Sequence, residues 1–339
     1  WRLVETFSEP NGFFRSDNLV SNETTFQSVI PRLKEIVAPG GIYLGVAPDQ
    51  NFTYMIAARP RLAFIVDIRR GNLLQHLLFK AIFELSADRA EFVSRLFSKR
   101  RPAGLRAEST VVQIFEAFAT VRMTDEEYQR RYAQNVAAIR SHLLKTRGFR
   151  LSAADLEQLE EIYYAFFWEG PSLRYSTSPR GVGGRSNFPS YEEMAMQTDW
   201  EGRPRGYLAS EANFRFIKGL EERNLIIPVV GNFAGPKALR AVGDWIRTRR
   251  GVVSAFYVSN VEQYLFQDNL WEAFAGNVAT LPVDDRSTFI RSVSSRFGYG
   301  GSYQWSDGRA SALDPIGLLV ADFKAGRIRT YYDVNARSK

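Results

Sequence analysis

Four apolar runs limit what this chain can fold into, because each has the pattern of a β-strand buried on both faces. They lack the alternation of apolar and polar residues that marks a strand with one side in water. Such runs, separated by helical segments, are typical of a parallel sheet covered by helices. We predict an α/β fold with a doubly wound, mostly parallel, Rossmann-like sheet. The runs are "IYLGVA" at 42–47, "LAFIVD" at 62–67, "LIIPVV" at 225–230 and "VVSAFYV" at 252–258.

The alternation of strand and helix is interrupted once, between residues 86 and 209. This part shows amphipathic helices without a strand pattern, and residues 170–190 are rich in Gly, Pro and Ser. Loops of that length in compact domains are often lids or disordered segments. We predict a helical insertion after the second strand unit, at 86–209, with the Rossmann-like domain divided between residues 1–85 and 210–339.

Periodicity and turn signals predict the remaining elements. Helices are expected at 23–37, 72–85, 210–223, 235–251 and 286–296, and late strands at 277–282, 316–322 and 327–334.

The composition excludes several kinds of chemistry. The chain has 339 residues, no cysteine and two histidines, His76 and His142, so disulfides and thiolate catalysis are excluded and we expect no metal site. No apolar run approaches the roughly 20 residues that span a bilayer. We expect a cytoplasmic protein. A periplasmic location stays open, because the chain begins at Trp1 without a methionine and a leader can have been removed.

One local cluster of positive charge stands out in a chain whose net charge is +7. It is "SRLFSKRRPAGLR" at 94–106, and such runs can contact nucleic acid or anionic lipid. No aromatic residue lies between Lys99 and Arg106 to stack on bases. We therefore favour a helix C-terminus, where the helix dipole attracts cations, over a nucleic-acid site.

Polar residues follow each of the four apolar runs. The carboxyl ends of parallel strands meet at one edge of a sheet, and ligands bind there near the point where the strand order reverses. The candidate site therefore consists of "GVAPDQN" at 45–51, "DIRR" at 67–70, "GNFAG" at 231–235 and "SNVE" at 259–262.

Asp67, at the end of the second strand, has two interpretations. Its carboxylate can accept both hydroxyl hydrogens of a ribose, and it lies 18 positions after Asp49 (67 − 49), near the expected spacing of about 20. It can equally pair with Arg69 or Arg70, or cap the next helix. The sequence leaves both open.

The other strand ends have similar alternatives. Asp49, Gln50 and Asn51 offer three consecutive polar groups where a helix start needs one, which favours ligand contact over a simple turn. Gly231 and Asn232 can admit and bind a ligand closely, and a turn explains them equally well. At the fourth strand, Asn260 and Glu262 flank a helix start, where Asn260 is also a good N-cap.

The order of these features resembles the S-adenosylmethionine-dependent methyltransferase fold. The shared features are a leading helix, a glycine-ended first strand, an acid-ended second strand and a later strand that ends in aromatic-X-X-Asn. The resemblance covers roughly residues 23–85 and 210–334. Longer stretches are similar to an uncharacterised bacterial family with that architecture: "FSEPNGFFRSDNLVSNE", "GIYLGVAPDQNFTY", "LAFIVDIRRGNLLQHLLFKAIF" and "VVGNFAGPKALRA".

The resemblance implies S-adenosylmethionine as the cofactor, but the glycine loop departs from the family pattern. In that fold an acid lies two positions before a Gly-X-Gly-X-Gly loop. Tyr43 stands at the acid position here, and Gly45, Ala47 and Asp49 stand at the glycines, so only the first glycine is kept. Asp49 can replace the missing acid as partner of the ligand's ammonium group.

Further positions follow from the same resemblance. Asp67, with Ile68 beside it, stands where the ribose-binding acid is expected. Gly231 and Asn232 stand at the adenine-contacting position, and Asn260 stands in the catalytic region.

These observations predict a methyltransferase-like protein that binds S-adenosylmethionine, or a related nucleoside ligand, at the four strand ends. The acceptor is unknown. Asn260 and Glu262 are the catalytic candidates, with Glu262 or Asp49 as a base and Arg180 or Arg185 to hold an anionic substrate. Two alternatives remain open: a catalytically inactive module that binds a ligand or a protein, motivated by the altered glycine loop, and an RNA-binding or RNA-modifying protein.

Overall fold

A single mixed sheet organises the chain. The computed structural model describes residues 1–176, 188–294 and 309–337, and the sheet that they form has the strand order β3-β2-β1-β4-β5-β6. Strands β1 to β5 are parallel, and β6 pairs antiparallel with β5. The strands are β1 (Ile42–Gly45), β2 (Leu62–Asp67), β3 (Ile226–Val230), β4 (Val253–Ser259), β5 (Thr288–Ser294) and β6 (Arg309–Pro315).

The strand order reverses between β1 and β4. From β1 the chain moves outward through β2 to β3, and it then returns to the other side of β1 as β4. The predicted α/β class, the mostly parallel sheet and the first four strands are confirmed. The order is compatible with a Rossmann-like fold, and it leaves a crevice at the carboxyl ends of β1 and β4.

Fifteen α-helices lie in the described part of the chain, and α7 continues into a π-helical turn (His142–Thr146). They are α1 (Arg2–Phe7), α2 (Ile30–Ile36), α3 (Gln50–Ala58), α4 (Arg70–Leu85), α5 (Arg89–Leu96), α6 (Val111–Thr120), α7 (Asp125–Ser141), α8 (Ala153–Glu169), α9 (Tyr191–Ala195), α10 (Glu211–Glu222), α11 (Ala238–Thr248), α12 (Val261–Gln267), α13 (Trp271–Val278), α14 (Ile316–Lys324) and α15 (Tyr331–Arg337).

The described residues between β2 and β3 contain helices α4 to α10, and α8 packs on α4. The rings of Phe79 and Phe166 meet edge to face with centroids 5.8 Å apart, and Arg70 donates to Asp155 at 2.8 Å. Capping boxes start α8 at Ser152 and α9 at Ser190. The predicted lid at 170–190 is described only in part, because residues 177–187 lie outside the described residues.

The predictions for the C-terminal part were wrong. Residues 288–294 form β5 instead of a helix, 277–282 contain the end of α13 and a turn, and 316–322 and 327–334 lie mainly in α14 and α15 instead of strands. In α14 the buried side chains are Ile316 and Leu319, which have helical spacing, whereas Leu318 is exposed. A short apolar run does not by itself distinguish a strand from a helix.

The helix predicted at 23–37 begins only at Ile30, with Pro31 in its first turn. Glu23 is buried, and its carboxylate accepts from Gln50 at 2.8 Å and from Ser259 at 2.5 Å. These hydrogen bonds fix Glu23, and residues 24–29, which lie between Glu23 and the start of α2, form turns.

A buried ion-pair cluster joins the two C-terminal strands to α12. Arg291 in β5 donates to both carboxylate oxygens of Glu262, at 2.5 and 3.0 Å, and to Asp314 in β6 at 2.8 Å. The side chains of Arg291 and Glu262 are each 1% exposed. Removing one partner from such a cluster leaves an uncompensated charge in the interior.

Glu262→Ala is therefore expected to lower the free energy of unfolding by roughly 3–5 kcal/mol. The control is Glu272→Ala on α13, an exposed residue, whose effect should stay within roughly 0.5 kcal/mol. Urea unfolding followed by circular dichroism measures both. Equal stability of the two variants would contradict this role of Glu262.

Candidate functional site

A cleft of about 150 Å³ lies at the carboxyl ends of the first four strands, beside the point where the strand order reverses. This is the position expected for a ligand in an open parallel sheet. Its walls are mainly apolar. Six predicted site residues line it: Ala47, Asp67, Ile68, Gly231, Asn232 and Asn260.

Residues 8–19, here called the N-terminal strap, close one side of the cleft. Gly12 N–H donates to the Ile68 carbonyl at 2.8 Å, and Arg70 N–H donates to Asn11 Oδ1 at 2.7 Å. A β-carbon at residue 12 would lie 2.2 Å from the Ile68 side chain, so this contact requires glycine. The strap has no periodic pattern, and the sequence reasoning missed its role. The adjacent aromatic residues Phe13 and Phe14, which line the cleft, are the signal that was available.

Asp67 is paired with Arg69, which was one of the two interpretations of this acid. Its Oδ1 accepts from the backbone N–H of Arg69 at 2.9 Å and from Nε at 3.0 Å, and its Oδ2 accepts from Nη2 at 2.9 Å. The guanidinium also donates to the carbonyls of Ser16, at 3.1 Å, and Asp17. One arginine therefore joins the end of β2 to the strap.

Three non-glycine residues with left-handed backbone lie in the cleft wall: Asn18 in the strap, with φ of 50°, and two residues that follow or end a strand. Ala47, after β1, has φ of 65°, and Ser259, at the end of β4, has φ of 53°. Such conformations cost energy and concentrate at ligand sites. His76 fixes Ala47: its Nε2 lies 2.9 Å from the Ala47 carbonyl and must donate to it. Burial lowers the pKa of His76 to about 4, so the ring is neutral.

The loop after β1 is filled by its own asparagine. Asn51 is fully buried, and its Oδ1 accepts from the Tyr43 hydroxyl at 2.9 Å. Its amide nitrogen donates to the carbonyls of Val46, Ala47 and Pro48 at 2.7, 3.1 and 2.7 Å.

Gly45 is required by the same arrangement. A β-carbon there would lie 1.9 Å from Asn51 Oδ1 and 2.8 Å from the Tyr43 ring. Neither Gly45 nor Asn51 lines the cleft. Their positions do not match the predicted ligand contacts, because the asparagine side chain satisfies the loop carbonyls.

Gln50 also turns away from the cleft. It donates to Glu23 and to the Tyr54 hydroxyl, each at 2.8 Å, and it accepts from Ser21. Because Ser259 donates to the other oxygen of Glu23, a hydrogen-bonded chain runs from Gln50 to the cleft wall. Sequence reasoning missed Glu23 and Ser259 as a pair, since 236 positions separate them.

Asp49 faces a separate cavity of about 30 Å³, large enough for about one water molecule. The Tyr207 hydroxyl donates to its Oδ2 at 3.0 Å, and the Tyr191 hydroxyl lies 2.5 Å from that of Tyr207. Burial raises the pKa of Asp49 to about 6, although the hydrogen bond from Tyr207 acts in the opposite direction.

Two features mark the carboxyl end of β3: the close approach of α11 to Gly231, and the carboxylate of Glu9, which binds backbone N–H groups. A β-carbon on Gly231 would lie 2.2 Å from Ala238, so this glycine lets α11 approach the sheet. The side chain of Asn232 accepts from the Ala234 N–H at 2.9 Å, which leaves its amide NH₂ as a donor. The carboxylate of Glu9 in the strap accepts from the backbone N–H groups of Asn232, Lys237 and Ala238 at 3.0, 2.8 and 2.8 Å.

At the fourth strand end the structure separates the two catalytic candidates. Asn260 holds the N-cap position of α12, but its side chain makes no capping hydrogen bond, and it lines the cleft. Glu262 does not line the cleft. It is held by Arg291 in the buried ion-pair cluster, so it is not free to act as a base.

Other predicted groups lie away from the cleft. In the basic run, Arg101 pairs with Asp88 at 2.8 Å and Arg100 with Glu127 at 3.6 Å, close to the C-terminus of α5, which favours the helix-end interpretation. Arg180 and Arg185 lie outside the described residues.

The described residues contain neither a cluster of metal ligands nor a helix that could span a membrane. In residues 1–176, 188–294 and 309–337 no three His, Asp or Glu side chains are grouped so as to hold a metal ion. The helices of these residues include none with the length and apolar character needed to cross a bilayer.

Comparison with known proteins identifies the family of this chain. A family model described as a domain of unknown function, DUF7790, matches residues 18–314, so the chain belongs to that family. No curated protein matches the chain.

The raised pKa of Asp49 predicts a pH-dependent effect of Asp49→Asn. The folded protein binds this proton more tightly than the unfolded chain does, so the contribution of Asp49 to stability is present below about pH 4 and is lost as the pH rises through about 6. At about pH 8 the variant should be more stable than the wild type by roughly 1–3 kcal/mol.

Urea unfolding at about pH 4 and about pH 8 measures this difference, which should nearly vanish at the lower pH. Asp285→Asn, at an exposed position, is the control and should show no pH-dependent difference. A gain for Asp49→Asn that is equal at both pH values would contradict the raised pKa.

Proposed function

We propose that the cleft binds a nucleoside-type small molecule, with S-adenosylmethionine as the leading candidate, and that the chain is a methyltransferase-like protein. The observation that carries this proposal is the position of the cleft, at the carboxyl ends of β1 to β4 where the strand order reverses. The resemblance of the strand ends to the methyltransferase fold selects this cofactor among the nucleosides.

The cleft wall supports a flat, mostly apolar ligand. Phe14 and Tyr264 meet edge to face with centroids 5.1 Å apart, and Phe233 adds a third ring to the lining. Such surfaces suit a purine ring. The amides of Asn232 and Asn260 provide donors and acceptors for the edge of a base or for a ribose hydroxyl.

The strand ends favour a ligand without phosphate. In dinucleotide sites the pyrophosphate binds backbone N–H groups at a helix N-terminus. Here Glu9 occupies those of α11 and Asn11 accepts from the first residue of α4. A neutral or cationic nucleoside fits this environment better than NAD or ATP.

Asp67 can give a ribose only one direct hydrogen bond in this arrangement. A carboxylate has about four acceptor positions, and the three hydrogen bonds from Arg69 use three of them. The remaining hydrogen bonds to the ribose come, in this proposal, from the side-chain amides of Asn232 and Asn260.

Methyl transfer needs little beyond in-line positioning and a place for the acceptor's proton. Ser259 lines the cleft and donates to Glu23, so its oxygen can accept that proton while its own proton moves to the carboxylate. In this proposal the Ser259–Glu23 pair takes the role first given to Glu262, and Asn260 orients the acceptor. One observation favours the alternative of a catalytically inactive binding module: the side chain of Asn51 fills the loop after β1.

The ligand assignment is tested by calorimetry with S-adenosylmethionine, S-adenosylhomocysteine, adenosine, NAD and ATP. The three ligands without phosphate should bind in a way that Asn260→Ala weakens, and NAD and ATP should show no binding that this substitution weakens. Asn260→Ala should weaken binding by roughly ten-fold, the effect of about one hydrogen bond. Gln134→Ala, at an exposed position of α7, is the control and should bind as the wild type does.

Two results would contradict the proposal. One is the absence of binding by all three phosphate-free ligands at about 1 mM, a concentration that corresponds to only about 4 kcal/mol of binding free energy. The other is binding of NAD or ATP that is tighter than the binding of adenosine and that Asn260→Ala weakens.

A further inference from the structure

We propose a second ligand site, for a phosphate group, at the opposite edge of the sheet. A surface pocket of about 260 Å³ lies at the amino ends of β1, β2, β4 and β5. Three arginines line it, Arg61, Arg250 and Arg286, together with the glycine backbone of residues 40, 41 and 251. These residues are called the arginine pocket, and the site does not depend on the function proposed for the cleft.

The positive charge of the arginine pocket is not neutralised by neighbours. Within residues 1–176, 188–294 and 309–337, the side chains of Arg61 and Arg250 make no hydrogen bond or ion pair. Arg286 donates to the carbonyls of Ile36 and Glu35 at 2.6 and 3.1 Å, which are uncharged partners.

One acid also lines the pocket. Asp284 accepts at Oδ1 from the Arg286 N–H and the Ser287 hydroxyl, each at 3.0 Å. Three arginines and this one carboxylate leave a formal charge of +2 (3 − 1) on the lining. That charge matches a phosphate dianion.

Glycine and left-handed backbone shape the pocket. Gly40 has φ of 85° and Arg250 has φ of 53°, so the two loops that form the rim turn sharply. A β-carbon on Gly41 would lie 2.5 Å from Ser254, and one on Gly251 would lie 3.0 Å from the Arg61 guanidinium. The loop before β1 therefore approaches Ser254 in β4 this closely because residue 41 is glycine.

Charges of both signs lie beside the pocket, with Lys34 and Glu35 at the end of α2 and Asp285 next to Arg286. Lys34 lies in the last turn of α2, the helix whose final carbonyls bind Arg286. Its pKa is lowered, first by burial and then by the charges of Arg205 and Arg59. Unpaired guanidinium groups around a pocket are the arrangement that binds phosphate, because each can form two parallel hydrogen bonds to its oxygens.

The ligand class is a tetrahedral phosphate dianion, free or as the end group of a monoester. The two probes are inorganic phosphate and phenyl phosphate, which distinguish these sources. A twelve-nucleotide single-stranded RNA is the third probe, because its phosphates are diesters. Calorimetry at low salt measures all three.

Phosphate, phenyl phosphate or both should bind the wild type, and Arg61→Gln and Arg250→Gln should each weaken that binding by roughly ten-fold. The matched control is Arg249→Gln. Arg249 neighbours the pocket, but its guanidinium lies 4.1 Å from the centre of the Trp245 ring. This variant should bind as the wild type does, and circular dichroism checks that all variants fold.

Three results would overturn the proposal. The first is no binding of either phosphate probe at about 10 mM, a very weak limit. The second is equal binding by the wild type and both pocket variants. The third is RNA binding that depends on Arg61 and Arg250 while the small probes do not bind, which would assign the pocket to nucleic acid.

Discussion

The ion pair between Asp67 and Arg69 is the interaction on which the cleft depends. It joins the end of β2 to the strap, because the same guanidinium that holds the carboxylate also donates to the carbonyls of Ser16 and Asp17. The two side chains are only 6% and 11% exposed, so the pair is strengthened by low dielectric and is costly to break. The other contacts of the strap with this edge of the sheet come from Glu9, Asn11 and Gly12.

The same edge satisfies its polar groups internally. The amide of Asn51 donates to the loop carbonyls after β1, and the carboxylate of Glu9 accepts from N–H groups at the start of α11. Buried backbone groups need partners, and at α11 the carboxylate of Glu9 accepts from N–H groups that would bind a phosphate in a dinucleotide site. The departures from the glycine-loop pattern at Ala47 and Asp49 therefore lie in a loop whose carbonyls are bound by Asn51.

Sequence patterns predicted the parts of the fold that depend on local periodicity. The four apolar strands, α4, α10 and the helical insertion follow from two-sided burial and helical spacing. Strand β5 was missed because the buried Arg291 interrupts its apolar pattern, and that charge is explained only by Glu262 and Asp314, which come from other elements.

The candidate site was predictable to the level of the strand ends, because topology alone brings them together. The sequence did not predict which side chains face the cleft, because their orientation depends on partners distant in sequence. Gln50 turns toward Glu23, 27 positions away, and Glu262 turns toward Arg291, 29 positions away. Asn260 faces the cleft because its expected capping bond does not form.

The central claim is that a nucleoside binds beneath the N-terminal strap. The strap lines the cleft through Phe13, Phe14 and Asn18, so a ligand bound there would contact it. Hydrogen–deuterium exchange of residues 8–19, with and without S-adenosylhomocysteine, tests this directly. The ligand should slow exchange at Gly12 by roughly ten-fold or more. Unchanged exchange across the strap at saturating ligand would contradict the claim.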